Sequence, residues 1–190
     1  STLPNPTHLY AQADTFMVSL IVGNSNGCFD TIVQPVVVYP LPMPDFAYDT
    51  VCFGDTTHFT DMTLIPYGEI NSWYWTFGDP MSGVYDTSSL QNPTHKFTHP
   101  GIFMVTLMAG DTNGCAAFVT LPVKVDSLPV PNFQHTPATC QNTAIAFTDQ
   151  SLATDNPILS WTWRFGDGSD TTIYAPNSPN VEHIYTNLGI

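Results

Sequence analysis

Residues 73–79 read Trp-Tyr-Trp-Thr-Phe-Gly-Asp, and residues 161–167 read Trp-Thr-Trp-Arg-Phe-Gly-Asp. In both stretches large rings occupy every second position, the period that places side chains on one face of a β-strand. A glycine and an aspartate follow, which are residues that end a strand in a turn. The two stretches lie 88 residues apart, so the chain contains an internal repeat of about that length.

Other segments recur at nearly the same spacing. Asn-Pro-Thr-His at residues 5–8 returns at 92–95, and Asn-Gly-Cys at 26–28 returns at 113–115, both after 87 residues. A period of 87 or 88 residues is the size of one β-sandwich domain and exceeds that of a solenoid unit.

Placing this period on the chain predicts three modules. Residues 1–40 form the C-terminal part of one module, residues 41–127 a complete module, and residues 128–190 the N-terminal part of a third. Because half a sandwich leaves unpaired edges and an open core, we expect the chain to be a segment of a longer repetitive polypeptide. Alternating prolines at 40–44 and 129–131 favour extended joints, so we expect the array to be extended.

The residue pattern within each module favours strands. Aromatic residues make up 13% of the chain, and the 17 prolines and 12 glycines interrupt it too often for long helices. About seven short strands with turn signals between them predict tandem, all-β, immunoglobulin-like antiparallel β-sandwiches. The predicted core of the middle module comprises Phe59, Trp75, Phe77, Phe103, Val105 and Leu107.

The charge balance excludes several function classes. The chain has only three basic residues against sixteen acidic ones, a formal net charge of −13. Binding to nucleic acid requires a basic surface that this chain lacks, and an anionic membrane would repel it. No apolar run of about 18 residues is present, so we expect no direct membrane insertion.

Three linked motifs resemble the PKD (polycystic kidney disease) repeat family. Trp163-Arg164-Phe165-Gly166-Asp167-Gly168 matches the first motif of that family, and His183-Ile184-Tyr185 matches the second. Residues 101–107, Gly-Ile-Phe-Met-Val-Thr-Leu, match the third. Two positions depart from the pattern: Pro80 replaces the second glycine of the first motif, and Asp14 replaces the glycine of the third in the first module.

This resemblance implies immunoglobulin-like modules in an extracellular or cell-surface protein, where PKD repeats act as spacers or contact modules. Tandem modules with an Asn-Gly-Cys hairpin are similar to arrays in large surface adhesins of gliding Bacteroidota. The resemblance implies a secreted protein whose partners are neighbouring repeats, other surface proteins or glycans.

No residue constellation predicts catalysis. The nucleophile, zinc-protease and phosphate-loop motifs are missing, so we expect no enzyme and no cofactor. Asp79 and Asp167 have the oxygen ligands that calcium prefers, but an aspartate in a turn more often caps backbone amides. His8, His95 and His183 occupy the same repeat position, one in each module. One histidine per module is too few for a zinc site and favours hydrogen-bonded strand residues. The sequence therefore predicts no metal site.

Aromatic side chains are the remaining candidates for binding. Trp73, Tyr74, Tyr85 and Trp161 have rings that could stack on sugars. Alternation places Trp73 on the same face as Trp75, so Tyr74 is the predicted exposed contact residue. The alternative is that these are ordinary surface and core aromatics.

The four cysteines fall into two kinds by repeat position. Cys28 and Cys115 follow Asn-Gly, whereas Cys52 and Cys140 precede the Phe-Thr-Asp strand. The middle module contains one of each, so we predict a Cys52–Cys115 disulfide, with small buried thiols as the alternative.

These observations favour a structural or adhesive stalk or filament. A carbohydrate-binding accessory segment of a secreted hydrolase is the alternative.

Overall fold

The computed structural model describes residues 3–137 and 140–186, and the predicted all-β fold is confirmed. Within those residues the strands are β1 (Asp14–Gly23), β2 (Phe29–Val38), β3 (Phe46–Tyr48), β4 (Val51–Cys52), β5 (Thr57–Asp61), β6 (Ile70–Thr76), β7 (Thr87–Ser88), β8 (Thr94–His95), β9 (Gly101–Asp111), β10 (Ala116–Asp126), β11 (Phe133–His135), β12 (Ala144–Asp149), β13 (Ser160–Arg164), β14 (Asp170–Tyr174) and β15 (Val181–Ile184). A 3₁₀ helix spans Pro80–Asp86.

The chain divides into two compact units. The first comprises residues 1–49, 56–98 and 102–123, and contains the β1–β2 hairpin and most of the middle module. The second comprises residues 50–55, 99–101 and 124–190, and contains β4, the end of β10, and β11 to β15.

The middle module is built from two sheets. One has the strand order β3-β5-β8, and the other has the order β4-β10-β9-β6-β7. Large apolar side chains at alternate strand positions fill the interior, as the period of two requires. All six predicted core residues are buried: Phe59, Trp75, Phe77, Phe103, Val105 and Leu107.

The turn after β6 requires a glycine. Gly78 has a φ of +69°, and a Cβ atom at this position would lie 2.7 Å from the backbone oxygen of Met104. After Gly78 the chain enters the 3₁₀ helix that begins at Pro80, whereas the equivalent segment of the third module turns at once from β13 into β14. The substitution of proline for glycine therefore marks a longer connection, because proline favours the first turn of a helix.

The third module repeats the first strands of the middle module. Strands β11, β12 and β15 form one sheet in that order, and β13 pairs with β14. Phe147, Trp163 and Phe165 are equivalent to buried residues of the middle module but are only half-buried here.

The predicted Cys52–Cys115 disulfide is not present in this structure. All four cysteines are free, and three of them are exposed. Cys52 pairs with Asp126, the last residue of β10, whereas Cys115 directly precedes Ala116, the first residue of that strand. A strand of this length spans about 36 Å, but a disulfide joins Cα atoms less than about 7 Å apart. The sequence repeat indicated that both cysteines belong to one module. It contained no information about which end of β10 each cysteine lies beside.

Candidate functional site

The aspartate of the Gly-Asp motif is held inside the middle module by internal donors. Asp79 is fully buried, and its carboxylate accepts hydrogen bonds from the backbone N–H of Thr98 (2.9 Å) and the Thr98 hydroxyl (2.5 Å). The Nε2 atom of His95 lies 3.3 Å from the same carboxylate. These contacts occupy both carboxylate oxygens, which supports the capping interpretation of Asp79 over a calcium ligand.

The electrostatics of Asp79 follow from these contacts. Burial acts to raise the pKa of Asp79, but the hydrogen bonds from Thr98 and His95 outweigh it and hold the pKa below its ordinary value. The His95 ring is fixed by stacking on Phe77, with centroids 4.3 Å apart, and by an edge contact with Phe97. The strand histidine therefore belongs to the core rather than to a ligand site.

The third module repeats the aspartate–histidine contact but draws its other hydrogen-bond donors from a different position. His183 Nε2 lies 2.7 Å from Asp167 Oδ2, and Ser169 donates its hydroxyl and its N–H to Asp167 Oδ1. The Ser169 hydroxyl, together with His183, holds the pKa of Asp167 well below its usual range. His183 stacks on Phe165 with centroids 4.0 Å apart, as His95 does on Phe77. The Asp167, Ser169 and His183 side chains therefore stabilise the turn that follows β13.

A second recurring cluster was not predicted from the sequence. The indole N–H of Trp73 donates to Asp61 Oδ2 (2.7 Å), and Trp161 donates to Asp149 Oδ2 (3.0 Å). Thr63 donates its hydroxyl to the other oxygen of Asp61. Burial acts to raise the pKa of Asp61, but the hydrogen bonds from Thr63 and Trp73 outweigh burial and hold the pKa below its ordinary value. The signal available was the common 88-residue offset of both the aspartates and the tryptophans.

These contacts remove two of the four predicted ring residues from the candidate surface. Trp73 and Trp161 are half-buried and fixed by their hydrogen bonds. Tyr74 is 47% exposed on β6, and Tyr85 is exposed in the 3₁₀ helix.

Tyr74 belongs to an exposed apolar group on the outer face of the five-stranded sheet. It lies opposite Met108 of β9. The hydroxyls of Thr106 and Thr120 are 2.8 Å apart across β9 and β10, and the same antiparallel register places Met108 opposite Phe118. Met108 and Phe118 are both exposed. We call Tyr74, Met108 and Phe118 the Tyr74 surface.

No group of three or more His, Cys, Asp or Glu side chains in residues 3–137 and 140–186 is arranged to hold a metal ion. No helix in the described part of the chain is long and apolar enough to cross a bilayer.

Comparison with known proteins gives a family match and several similar structures. A family model described as PKD domain matches residues 39–125 and residues 126–190. The PKD1 domain of Vibrio anguillarum Epp is 22% identical, with a TM-score of 0.43, over 48% of this chain and 100% of that chain. The PKD1 domain of the Vibrio cholerae metalloprotease PrtV is 25% identical, with a TM-score of 0.41, over 46% of this chain and 99% of that chain. A carbohydrate-binding module of the β-sandwich super family is 15% identical, with a TM-score of 0.42, over 80% of this chain and 88% of that chain.

Proposed function

The chain belongs to the PKD domain family, and from that premise we propose that it is a non-catalytic segment of a secreted or cell-surface protein, where it acts as an adhesive stalk. The observation that supports this best is that its recurring aspartate, histidine and tryptophan side chains contact one another inside the modules. Asp79 with His95 and Asp61 with Trp73 are engaged in internal contacts, and the third module repeats both pairs. Groups consumed in this way stabilise each module and are not available for chemistry.

The same premise suggests where contacts are made. The Tyr74 surface combines a half-exposed phenol with two exposed apolar side chains on one sheet face. Exposed rings with a polar atom are common in contacts with proteins and with sugars. We propose that this surface contacts other surface proteins or glycans, and that neighbouring repeats of the same polypeptide are the array's constant partners.

Binding of the purified chain to cell-surface extracts and to a glycan array tests this role. We expect Tyr74→Ala to lower binding at least about tenfold, which corresponds to about 1.4 kcal/mol. The matched control is Tyr85→Ala, which removes an exposed phenol from the 3₁₀ helix and leaves the sheet face unchanged.

Equal binding by both variants and the unmodified chain would overturn the proposed surface. Selective binding to one glycan class, lost in Tyr74→Ala, would favour the accessory carbohydrate-binding role over the stalk.

The stalk itself makes a separate prediction. The proline-rich joints at residues 40–44 and 129–131 favour extended backbone geometry. Small-angle scattering on a chain of three complete modules should therefore give the pair-distance distribution of a rod. A compact, globular distribution would contradict the stalk.

A further inference from the structure

The outer face of the five-stranded sheet is built from rows of side chains that cross β6, β9 and β10. The Tyr74 surface is the first row. In the second row Thr76 lies opposite Thr106, whose hydroxyl is 2.8 Å from that of Thr120. In the third row Met104 of β9 lies opposite Pro122 of β10, by the register that pairs Thr106 with Thr120. We call these three rows the outer stripe of the middle module.

The outer stripe is uncharged although the chain as a whole is strongly acidic. None of the sixteen acidic residues and none of the three basic residues lies in it. It is nevertheless open to solvent, since Met104 is 54% exposed and Met108 is 44% exposed. Charged residues are depleted, and methionine and aromatic residues enriched, at the centres of protein–protein interfaces. The composition of the stripe is therefore that of a protein contact.

The same composition does not favour a sugar as the ligand of the stripe. Its only side-chain hydrogen-bonding groups are the hydroxyls of Tyr74 and of the threonine row. It contains no carboxylate, amide or guanidinium group to bind the many hydroxyls of a glycan. A sugar that lost water on this face would leave most of its polar groups unpaired, which is costly.

The first module repeats the uncharged stripe on the corresponding strands, β1 and β2. Met17 lies opposite Pro35, and the 87-residue offset makes this row equivalent to that of Met104 and Pro122. The two neighbouring rows, at residues 19 with 33 and 21 with 31, contain no charged residue either. The uncharged stripe is therefore a recurring feature of the module.

One stripe is too small to hold a partner by itself. With strands about 4.8 Å apart and about 3.4 Å of rise per residue, three rows cover about 300 Å² on three strands and about 200 Å² on two. Pairing the middle stripe alone would bury roughly 600 Å² in total, which is the size of a non-specific contact. Both stripes together reach roughly 1,000 Å², the lower limit for a specific interface.

We propose that two copies of this chain pair side by side, with the outer stripes of the first and middle modules of one copy packed against those of the other. The partner must present two uncharged apolar stripes at the spacing of this repeat, and a second copy has that spacing by construction. The proposal rests on the Tyr74 surface being a contact surface and names its partner. Because both copies use the same surface, the contact is isologous and closes at the dimer.

Charge outside the stripes sets the conditions for pairing. Each copy has a net charge of −13, so two copies repel each other at low salt. The uncharged stripes are the surfaces on which this repulsion is weakest at contact. Salt screens the repulsion without weakening apolar burial, so the dimer should become more stable as salt is raised.

Sedimentation equilibrium of the 190-residue chain tests the proposal under reducing conditions, from micromolar to millimolar concentration. We expect the average mass to rise from the 20.8 kDa of one copy towards twice that value and no further. The dimer should dissociate as the salt concentration is lowered. A single-copy mass throughout, or masses well beyond the dimer, would overturn the proposal.

Methionine-to-aspartate substitutions locate the contact. Met108→Asp and Met17→Asp each place a carboxylate in one stripe, and each should weaken the dimer at least about tenfold, because the remaining stripe is too small. The matched control is Met81→Asp, which adds the same charge at a 76% exposed methionine of the 3₁₀ helix. It should dimerise like the unmodified chain.

Tryptophan fluorescence checks that each variant is folded, and Met104→Asp in the same stripe takes the place of Met108→Asp where that variant is not. Equal dissociation by the control and the stripe variants would contradict the proposed contact. Loss of the dimer in only one of the two stripe variants would contradict pairing through both modules.

The sedimentation experiment contains neither cell-surface extract nor glycan, so its outcome is separate from that of the binding assay for the proposed function. A monomeric chain whose binding to extracts falls in Tyr74→Ala would overturn the dimer alone. A dimer whose binding to extracts is unchanged in Tyr74→Ala would overturn only the proposed contacts with other surface proteins and glycans.

Discussion

At the scale of single residues, one aspartate and one histidine per module act as a structural pair. Asp79 and His95 are buried together, whereas Asp167 and His183 are partly exposed but make the same contact. The ring of each histidine stacks on the phenylalanine that precedes the Gly-Asp turn. The pair therefore ties the turn after one strand to a strand of the opposite sheet.

Acid should weaken the middle module through Asp79. Its pKa in the folded state lies below the ordinary value of 3.8, so the ionised carboxylate stabilises the fold above about pH 4, and that contribution is lost as the pH falls further. Urea unfolding followed by tryptophan fluorescence should show a shallower loss of stability between about pH 5 and pH 2 in Asp79→Asn than in the unmodified chain. The control Asp55→Asn removes an exposed carboxylate and should keep the original slope. Identical slopes in all three proteins would contradict this role.

Adjacent residues of β6 should differ sharply in their effect on stability. Trp75 is fully buried, and its indole N–H donates to the backbone oxygen of Leu90 (2.9 Å). Trp75→Ala should lower the free energy of unfolding by about 3–5 kcal/mol, from lost burial and the remaining cavity. Tyr74→Ala should cost less than about 1 kcal/mol, because the Tyr74 side chain is half-exposed. Denaturant titration measures both, and similar costs would mean that the faces of β6 are wrongly assigned.

At the scale of elements, the turns and strand ends decide what each module tolerates. Gly78 and Gly83 both have positive φ values, but their surroundings differ. A Cβ atom on Gly78 would collide with the backbone of Met104, whereas nothing lies within 4 Å of one on Gly83. The first glycine is required by packing and conformation together, and the second by conformation alone.

Alanine substitutions at these two glycines separate the two causes. Gly83→Ala should cost about 1–3 kcal/mol, because its φ of 64° and ψ of −121° lie in a region that residues with a Cβ atom rarely adopt. Gly78→Ala should cost at least about 2 kcal/mol more, because the β6 turn must move away from β9. Thermal unfolding of both variants checks the difference. Equal midpoints of thermal unfolding would show that the backbone near Met104 can move aside without loss of stability.

The length of β10 predicts that oxidation of the folded chain does not join Cys52 to Cys115. Cys52 and Cys115 lie at opposite ends of that strand, so the folded monomer cannot join them. After mild oxidation, non-reducing peptide mapping of the monomer fraction should recover no Cys52–Cys115 peptide. Mapping of the unfolded, oxidised chain serves as the positive control. Recovery of that peptide from the folded monomer would require a different strand order.

At the scale of the whole molecule, the modules are unequal in the cover their cores receive. The middle module buries its aromatic residues completely, whereas the third module leaves the same positions half-exposed. Local stability should follow this difference, since opening costs least where few apolar contacts are lost.

Hydrogen exchange measures that difference directly. We expect the slowest amides in β5, β6 and β9, and faster exchange in β12 and β13 at the equivalent positions. The exposed β1–β2 hairpin should exchange fastest, because an isolated two-stranded hairpin is marginally stable. Equal protection of β6 and β13 would contradict the unequal cores.

The sequence alone determined the features that depend on local patterns. Alternation from Trp73 to Phe77 predicted a strand and its buried face, and the 87- or 88-residue repeat predicted tandem modules of one family. Alternation is sufficient for the first prediction because successive side chains of a strand point to opposite faces. The repeat is sufficient for the second because segments of similar sequence adopt the same fold. Contacts between distant strands were decided only by the tertiary structure. The bond from Trp73 to Asp61 and the separation of Cys52 from Cys115 depend on which strands lie side by side, and the spacing of residues along a chain does not contain that information.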